Sequence, residues 1–513
     1  MECLIPPLGI GYLASYLLKH DVDVEIIDAQ GEDPHRMTPI SDYHAYRGMG
    51  LSEIVSRIDP KTDVIGISNM FTIGYHAVKA LASLVRKSFP DTPIILGGSH
   101  PTHMPEFCLR DSVADYVFLG ENEPALLEFC HYLQGKHDLS AIEGIGYLEA
   151  GKYIHRPAVR ITNLNADHIP FPARHLLPIE KYLAASSSHG PTNKRWINLI
   201  TSRGCPFKCV FCTSRKTKFV ARSAKDVVDE VEHCIKEYGI EDFHFEDDNL
   251  TLHKPRLIEI CDELIKRKVN IEWQTPNGIR SSVVTEELLK KMHSCGCKSI
   301  VLAPESGSRR VLDDLIQKGK VDFDHIVALT KAARKLKMKT SAFFVIGFPG
   351  ETLHDIDLTI KYACRLAKAG IDEVCFSLFM PLPGTPLWSV VEDYFKGREI
   401  DFLELHGATD FNKAISWSEH YSGAELLNQR SRGYRKFLIY RTVFHPTTVF
   451  VSFLNVLKGK ADTKSEGHMR TILRKYINSS SEGSETSFSP VKTAYVLIFK
   501  VLPLILFKKK AVK

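Results

Sequence analysis

Cys205, Cys209 and Cys212 lie on one short loop, Cys205-Pro206-Phe207-Lys208-Cys209-Val210-Phe211-Cys212, directly after the strand-like run Trp196 to Thr201. Three thiolates can hold metal, but they fall one ligand short of the closed tetrahedron of a structural zinc site, and no fourth Cys or His stands close behind them. An iron–sulfur cluster is held by cysteine thiolates, one to each iron, so three ligands leave one iron of a four-iron cluster open to another molecule.

Other chemistry-bearing residues fall at the ends of apolar runs. Glu246-Asp247-Asp248-Asn249 follows the run Asp242 to Phe245, Glu305-Ser306-Gly307 follows Ser299 to Leu302, and Gly347-Phe348-Pro349-Gly350-Glu351 closes Thr340 to Ile346. A carboxylate in such a loop forms a charge-assisted hydrogen bond with a cation, and glycines let the backbone approach a ligand closely. Taken singly, each motif is an ordinary solvated loop. In this order behind C-x-x-x-C-x-x-C, they resemble the radical S-adenosylmethionine (SAM) enzymes. The resemblance implies that Cys205, Cys209 and Cys212 carry a [4Fe-4S] cluster whose open iron chelates the methionine of SAM. An electron from a flavodoxin- or ferredoxin-type donor then breaks the sulfonium to give a 5′-deoxyadenosyl radical. It further implies that Glu246, Asp247 and Asp248 receive the methionine ammonium and that Glu305 and Ser306 face the ribose hydroxyls. Gly347, Gly350 and Glu351 would line adenine and ribose, and the backbone at Phe211 would face adenine. Pro381-Leu382-Pro383-Gly384-Thr385-Pro386-Leu387 is a further family-like turn.

The elements that must position these residues alternate along the chain. Before the cysteine loop, helical spacing over Pro7 to His20 leads to a strand over Val22 to Ile27. Helix Leu51 to Ile58 leads to strand Val64 to Ser68, helix Tyr75 to Phe89 to strand Ile94 to Gly97, and strand Tyr116 to Leu119 to helix Glu123 to Leu133. Nearly all-apolar strands between helices predict a parallel sheet covered on both faces, with ligands beyond the carboxyl ends of the strands. Those ends are Ser68-Asn69, Gly97-Gly98-Ser99-His100 and Gly120-Glu121-Asn122-Glu123.

Together with Pro6-Pro7-Leu8-Gly9-Ile10-Gly11, these ends are similar to the cobalamin-binding domain of B12-dependent radical SAM enzymes, which implies cobalamin contacts at Ser68, Gly97, Gly98, Ser99, Gly120 and Glu121. Two features depart from the pattern. No strand precedes the Pro-Pro element, and Asp28-Ala29-Gln30-Gly31 places Gln30 where cobalt-ligating folds carry histidine. A flavodoxin-like sheet that merely supports the barrel is the alternative.

After the cysteine loop, six strands alternate with helices, about the number in the partial parallel barrel of radical SAM enzymes, whose strand-end loops carry the chemistry. The expected fold is therefore α/β. A doubly wound, Rossmann-like domain occupies 1–140, a connector 141–190, a partial (β/α)6 barrel 191–400 and a helical region 401–478; 479–513 form a linker and an apolar, basic tail. Ser186 to Gly190 reads as a flexible joint.

The 513 residues, 44% hydrophobic and 25% charged, suit a folded multidomain protein. A net charge of +5 without a long basic run interleaved with aromatics argues against nucleic acid. Met1-Glu2-Cys3-Leu4 does not begin a signal peptide, and the 12 cysteines read as cytosolic thiols plus a cluster. Cys108, Cys130, Cys234, Cys261, Cys364 and Cys375 fall in apolar patterns as inert thiols. The tail Ala494 to Phe507, interrupted by Lys500 and Pro503 and followed by Lys508-Lys509-Lys510, is too short to span a bilayer and fits a membrane surface. A helix docked on the protein fits it equally.

The resemblance implies a cytoplasmic, cobalamin-dependent radical SAM methyltransferase acting at an unactivated carbon, and the tail adds membrane association and a small, hydrophobic, lipid-class substrate. One alternative keeps both cofactors but closes a ring, as in the anaerobic Mg-protoporphyrin monomethyl ester cyclases. A non-catalytic zinc- or cluster-bearing module is the other.

Overall fold

The computed structural model describes residues 4–40, 45–185, 188–405 and 413–470. The linker and tail expected over 479–513, and part of the joint at 186–187, lie outside the described residues.

Two sheets organise the molecule. The first runs β1 (Ile65–Ser68), β2 (Ile94–Gly97), β3 (Tyr116–Phe118), β4 (Ile145–Glu149) and β5 (Lys152–His155), in that spatial order. Strands β1 to β3 are parallel, whereas β4 and β5 extend the sheet antiparallel. The two short strands of the connector thus belong to the first sheet. The helix Leu8–Lys19 buries Leu8, Tyr12, Tyr16 and Leu17 with Leu127 and Cys130.

The expected strand over Val22 to Ile27 does not form. In a doubly wound sheet of order 2-1-3-4-5, a strand preceding the Pro-Pro element would lie between this segment and β1. The described residues contain no such strand, so Val22 to Ile27 has no neighbour with which to form a backbone ladder.

The second sheet is β6 (Trp196–Leu199), β7 (Asp242–Phe245), β8 (Glu272–Ile279), β9 (Cys297–Glu305), β10 (Lys339–Ile346) and β11 (Glu373–Leu378). All six are parallel and follow one another in space from β6 to β11, an open barrel matching the expected count. Its helices end by recognisable chemistry. Ser223 caps Ala224–Tyr238, which stops at Gly239 in the left-handed conformation (φ +63°). Thr352 and Asp355 form a reciprocal capping box at the start of Leu353–Ala369. Phe245 stacks on fully buried Trp273 at 5.0 Å, and Phe344 on Phe376 at 5.4 Å, filling the barrel wall.

Beyond the barrel the chain folds back. Trp388, Val391, Phe395, Phe402 and Leu405 are buried against Tyr75, Val78 and Leu109 of the first domain, which bonds the two halves through a shared apolar core. Within the helical region expected over 401–478, the chain forms the helices Gly423–Phe444 and Pro446–Leu457. Cys108, Cys130, Cys234, Cys261 and Cys364 are buried, and Cys375 is half-buried.

Candidate functional site

The cysteine loop leaves the barrel at the carboxyl end of β6 and closes on itself. Thr217 N–H donates to the Cys205 carbonyl (3.0 Å), Lys216 N–H to Phe207 (2.8 Å) and Cys212 N–H to Cys209 (3.2 Å), while Val210 N–H donates to Ile316 across the mouth (3.0 Å). All three loop cysteines are free and half-exposed. Burial pushes the Cys212 thiol up to about 11 and also raises Cys209, against the pull of Lys318. Among the described residues no three His, Cys, Asp or Glu side chains converge on a single ion. Three thiolates on one loop, each able to take its own iron, are a donor set that fits a cluster.

The acidic run divides its labour. Asp247 is enclosed; Thr201 N–H (3.2 Å), Thr201 Oγ1 (2.7 Å) and Ser202 Oγ donate to it, and burial raises its pKa. Asp248 accepts from Gly204 N–H (2.9 Å) and Ser214 Oγ (2.8 Å), gripping both ends of the cysteine loop. Glu246 meets His189 Nδ1 at 2.9 Å. The described end of the expected flexible joint is therefore clamped: a Cβ on Gly190 would lie 2.1 Å from Gln274 Oε1 and would displace that side-chain amide.

Glu305 ends β9 with φ +64°, a left-handed conformation unusual for a residue with a Cβ. Its carboxylate accepts from buried Lys318 Nζ at 2.8 Å. Arg280 lies 3.7 Å above the Phe207 ring and donates to the Lys318 carbonyl (3.2 Å), so two cations stand behind the thiols. Ser306 is fully buried and shares a hydrogen bond with Thr359 Oγ1 (3.0 Å), a turn-fixing role.

The glycine-rich turn faces the cysteine loop directly. Gly347 has φ +99° and Gly350 φ +73°, and Phe348 packs on Phe211 with ring centroids 5.6 Å apart. Glu351 points into the turn rather than out of it. It accepts from Gly347 N–H (2.5 Å), Phe348 N–H (3.2 Å) and Tyr421 OH (3.4 Å), and burial pushes its pKa up to about 8.

In the first domain, Ser68, Gly97, Gly98 and Ser99 gather at the carboxyl ends of β1 and β2. Gly97 has open space where a Cβ would be. Gly98, at φ +104°, lies so close to Asn69 that a Cβ would meet its carbonyl at 2.7 Å. Met70 and Phe71 beside them are 56% and 70% exposed, and this open, apolar, glycine-lined platform fits a broad planar cofactor. Gly120, at φ +75°, donates to Thr102 Oγ1 (3.0 Å), but Glu121 turns away. It accepts from Arg160 (2.6 Å) and Ile161 N–H (3.0 Å). Gln30 is exposed, and Asp28 accepts from Tyr182 OH (2.6 Å) and Gly31 N–H (3.0 Å).

Arg203, two residues before Cys205, joins the two halves. It donates to Glu123 (2.8 Å), approaches Glu121 (3.6 Å) and lies 5.1 Å over the Tyr12 ring. Sequence reasoning missed Arg203, Lys318, Arg280 and His189. The first carried a signal, since a cation at the root of the cysteine loop faces the acid pair of Gly120-Glu121-Asn122-Glu123. The others stand in loops whose spatial partners no local pattern gives.

A model of the radical SAM superfamily matches residues 199–363, and one of the B12 binding domain matches 2–129. The chain is 32% identical over 417 residues to cytidylyl-2-hydroxyethylphosphonate methyltransferase of Streptomyces wedmorensis, covering 74% of this chain and 77% of that one. It is 34% identical over 387 residues to an uncharacterized methyltransferase of Pyrococcus horikoshii, covering 75% and 78%. The fold is shared with OxsB, a cobalamin-dependent S-adenosylmethionine radical enzyme (TM-score 0.62, 18% identity, 98% of this chain and 74% of that one). With its cysteine loop on an open parallel barrel and a glycine-lined sheet docked against it, the chain belongs to the B12-binding radical SAM enzymes.

Proposed function

We propose that this enzyme is a cobalamin-dependent methyltransferase acting on an unactivated carbon. The observation that carries the reading is Arg203, which ties the glycine-lined platform of the first domain to the root of the cysteine loop. When bound, the cluster and SAM supply a hydrogen-abstracting radical and cobalamin supplies the methyl group.

The protein's own groups position and shield. Cys205, Cys209 and Cys212 hold the cluster, and Asp248 fixes the loop that carries them. Glu246 and Asp248 are the acids available to a methionine ammonium, while Glu305 offers a charged acceptor to the ribose hydroxyls. The Gly347–Gly350 turn and the Phe211–Phe348 contact form an apolar wall for adenine. Met70, Phe71, Gly97 and Gly98 form the floor for the corrin ring.

The substrate is a small molecule, and the apolar, lysine-bounded sequence 494–510 supports assigning it to the hydrophobic, lipid class, with the tail contacting a membrane. A flavodoxin- or ferredoxin-type protein in the cytoplasm supplies the electron. Anaerobic reconstitution followed by product mass spectrometry tests the reaction. A product heavier by one methylene supports it, and a product that has only lost hydrogens points to ring closure. Cys209→Ala should lose cluster and SAM cleavage together; retention of both would overturn the ligand assignment.

A further inference from the structure

The end of the barrel remote from the cysteine loop carries an apolar surface that the reaction does not use. It is built by α1 (Gly423–Phe444) and α2 (Pro446–Leu457). Helix α1 turns Leu426, Arg430, Gly433, Phe437 and Arg441 inward, a helical stripe whose Gly433 lies against Phe376 of β11. Its last turns then expose Ile439 (60%), Val443 (67%) and Phe444 (47%), and α2 exposes Phe450 (61%) and Val451 (48%). Only Val456 of α2 is buried, and the helix contains no charged residue. Such a grouping of large apolar side chains on a protein surface marks a contact site.

Charge identifies what the surface contacts. From Leu426 to Ala461 the chain has no Asp or Glu but contains Arg430, Arg432, Arg435, Lys436, Arg441, Lys458 and Lys460, and the acids that follow, Asp462 and buried Glu466, are engaged by Asn455 of α2, Asp462 also by Asn193. Of these, Arg435, Lys458 and Lys460 are exposed, one before the apolar residues and two after them. Lys368 Nζ adds a cation 5.1 Å from the Phe444 ring. Apolar side chains rimmed by cations match the boundary between acyl chains and anionic headgroups.

Geometry fixes the mode. Among the described residues no single helix is long and apolar enough to cross a membrane; α1 and α2 reach that length and composition only as a pair, and the pair is bent by 109°. Twelve-residue α2 is about 18 Å long against a hydrocarbon core of about 30 Å. We propose that α2 and the last turns of α1 form a membrane-docking face that lies flat on anionic bilayers.

Arg441 faces Asp372 at the foot of β11 (3.9 Å), and His445 Nε2 meets the carbonyl of Lys368 (3.1 Å) at the end of the helix Leu353–Ala369. The docking face is therefore at the amino ends of the strands, and the barrel mouth opens away from the bilayer. Docking here tethers the enzyme without loading its site, and it stands whichever substrate the site takes.

Vesicle co-sedimentation of the full-length protein tests the proposal, using phosphatidylglycerol and phosphatidylcholine vesicles. Wild type should bind the anionic vesicles at least about tenfold more tightly, with binding falling as salt rises. Val443→Glu with Phe450→Glu, both exposed, should abolish binding while circular dichroism and iron content stay unchanged. Lys458→Glu with Lys460→Glu should remove the anionic preference. Wild type that ignores anionic vesicles overturns the proposal, as does a double-glutamate variant that binds like wild type, since the tail would then carry the contact. A wild-type dimer that the same variant dissolves also overturns it, because a second copy would be the occupant.

Discussion

Lys318 Nζ lies 2.8 Å from Glu305, and the pair sits behind Cys209 with both side chains nearly excluded from solvent. Glu305→Gln should leave cluster content unchanged and weaken SAM binding by about tenfold or more, because a hydrogen bond to a charged group contributes roughly 1.5–3 kcal/mol. Lys318→Met should be more damaging to the fold. It strands a buried carboxylate, a loss of about 3–5 kcal/mol for such pairs. Equilibrium dialysis of SAM and thermal melts under anaerobic conditions separate the two effects, and an unchanged SAM dissociation constant in the glutamine variant would remove Glu305 from the SAM site.

Glu351 gives the stability of the glycine turn a pH dependence. Its folded-state pKa is raised by burial from an ordinary 4.5 to about 8. Between those values the folded protein holds a proton that the unfolded chain has released, so stability falls as pH rises from about 4.5 to about 8. Glu351→Gln is neutral throughout and should lack this contribution. Its unfolding free energy from urea titration, compared with wild type, should improve steadily across that window, by about 3–5 kcal/mol at most. Parallel pH curves for the two proteins would show that Glu351 is ionised in the fold.

Much of this was legible in the sequence because the signals were local. The barrel strands were apolar runs between helices, and the cysteine loop and the Gly347–Glu351 turn are contiguous. What escaped was what only three dimensions supply. Val22 to Ile27 has strand composition but, among the described residues, no neighbouring strand to pair with. Asp247, Ser306, Glu351 and Glu121 had the right types at strand ends, yet each turns inward to satisfy backbone or side-chain donors. Residue type and spacing give position along the chain, but the direction in which a side chain points depends on partners remote in sequence, as Glu121 with Arg160 shows.

Arg203 should couple the two cofactor sites. Removing it leaves Glu123, whose side chain is 5% exposed, without its cation and loosens the docking of the platform on the cysteine loop. Arg203→Met should retain iron and still release 5′-deoxyadenosine, while methylated product falls by about 100-fold, the scale expected when reacting groups are misplaced by about 1 Å. Equal losses in both products would mean that Arg203 only supports the cluster loop.

The last expectation concerns the cobalt. The loop that carries a ligating histidine in other cobalamin folds has an exposed Gln30 here, and its Asp28 is engaged by Tyr182 and Gly31. Two histidines of the segment that follows Gly98 are held in packed positions. His100 is buried, its Nδ1 3.2 Å from Thr72 Oγ1 and its ring packed between Tyr75 and Phe402, and burial lowers its pKa to about 4. His103 Nδ1 meets the Ser99 carbonyl at 2.7 Å, and its ring lies where a Cβ on Gly384 would fall, 2.0 Å away. Neither imidazole can reach cobalt without leaving a packed site. Electron paramagnetic resonance of the protein loaded with cob(II)alamin should therefore show no superhyperfine splitting from a protein imidazole nitrogen, and His100→Gln and His103→Gln should leave the spectrum unchanged. Three-line nitrogen splitting that disappears in one of those variants would place that histidine on the metal and reassign the platform as a ligating site.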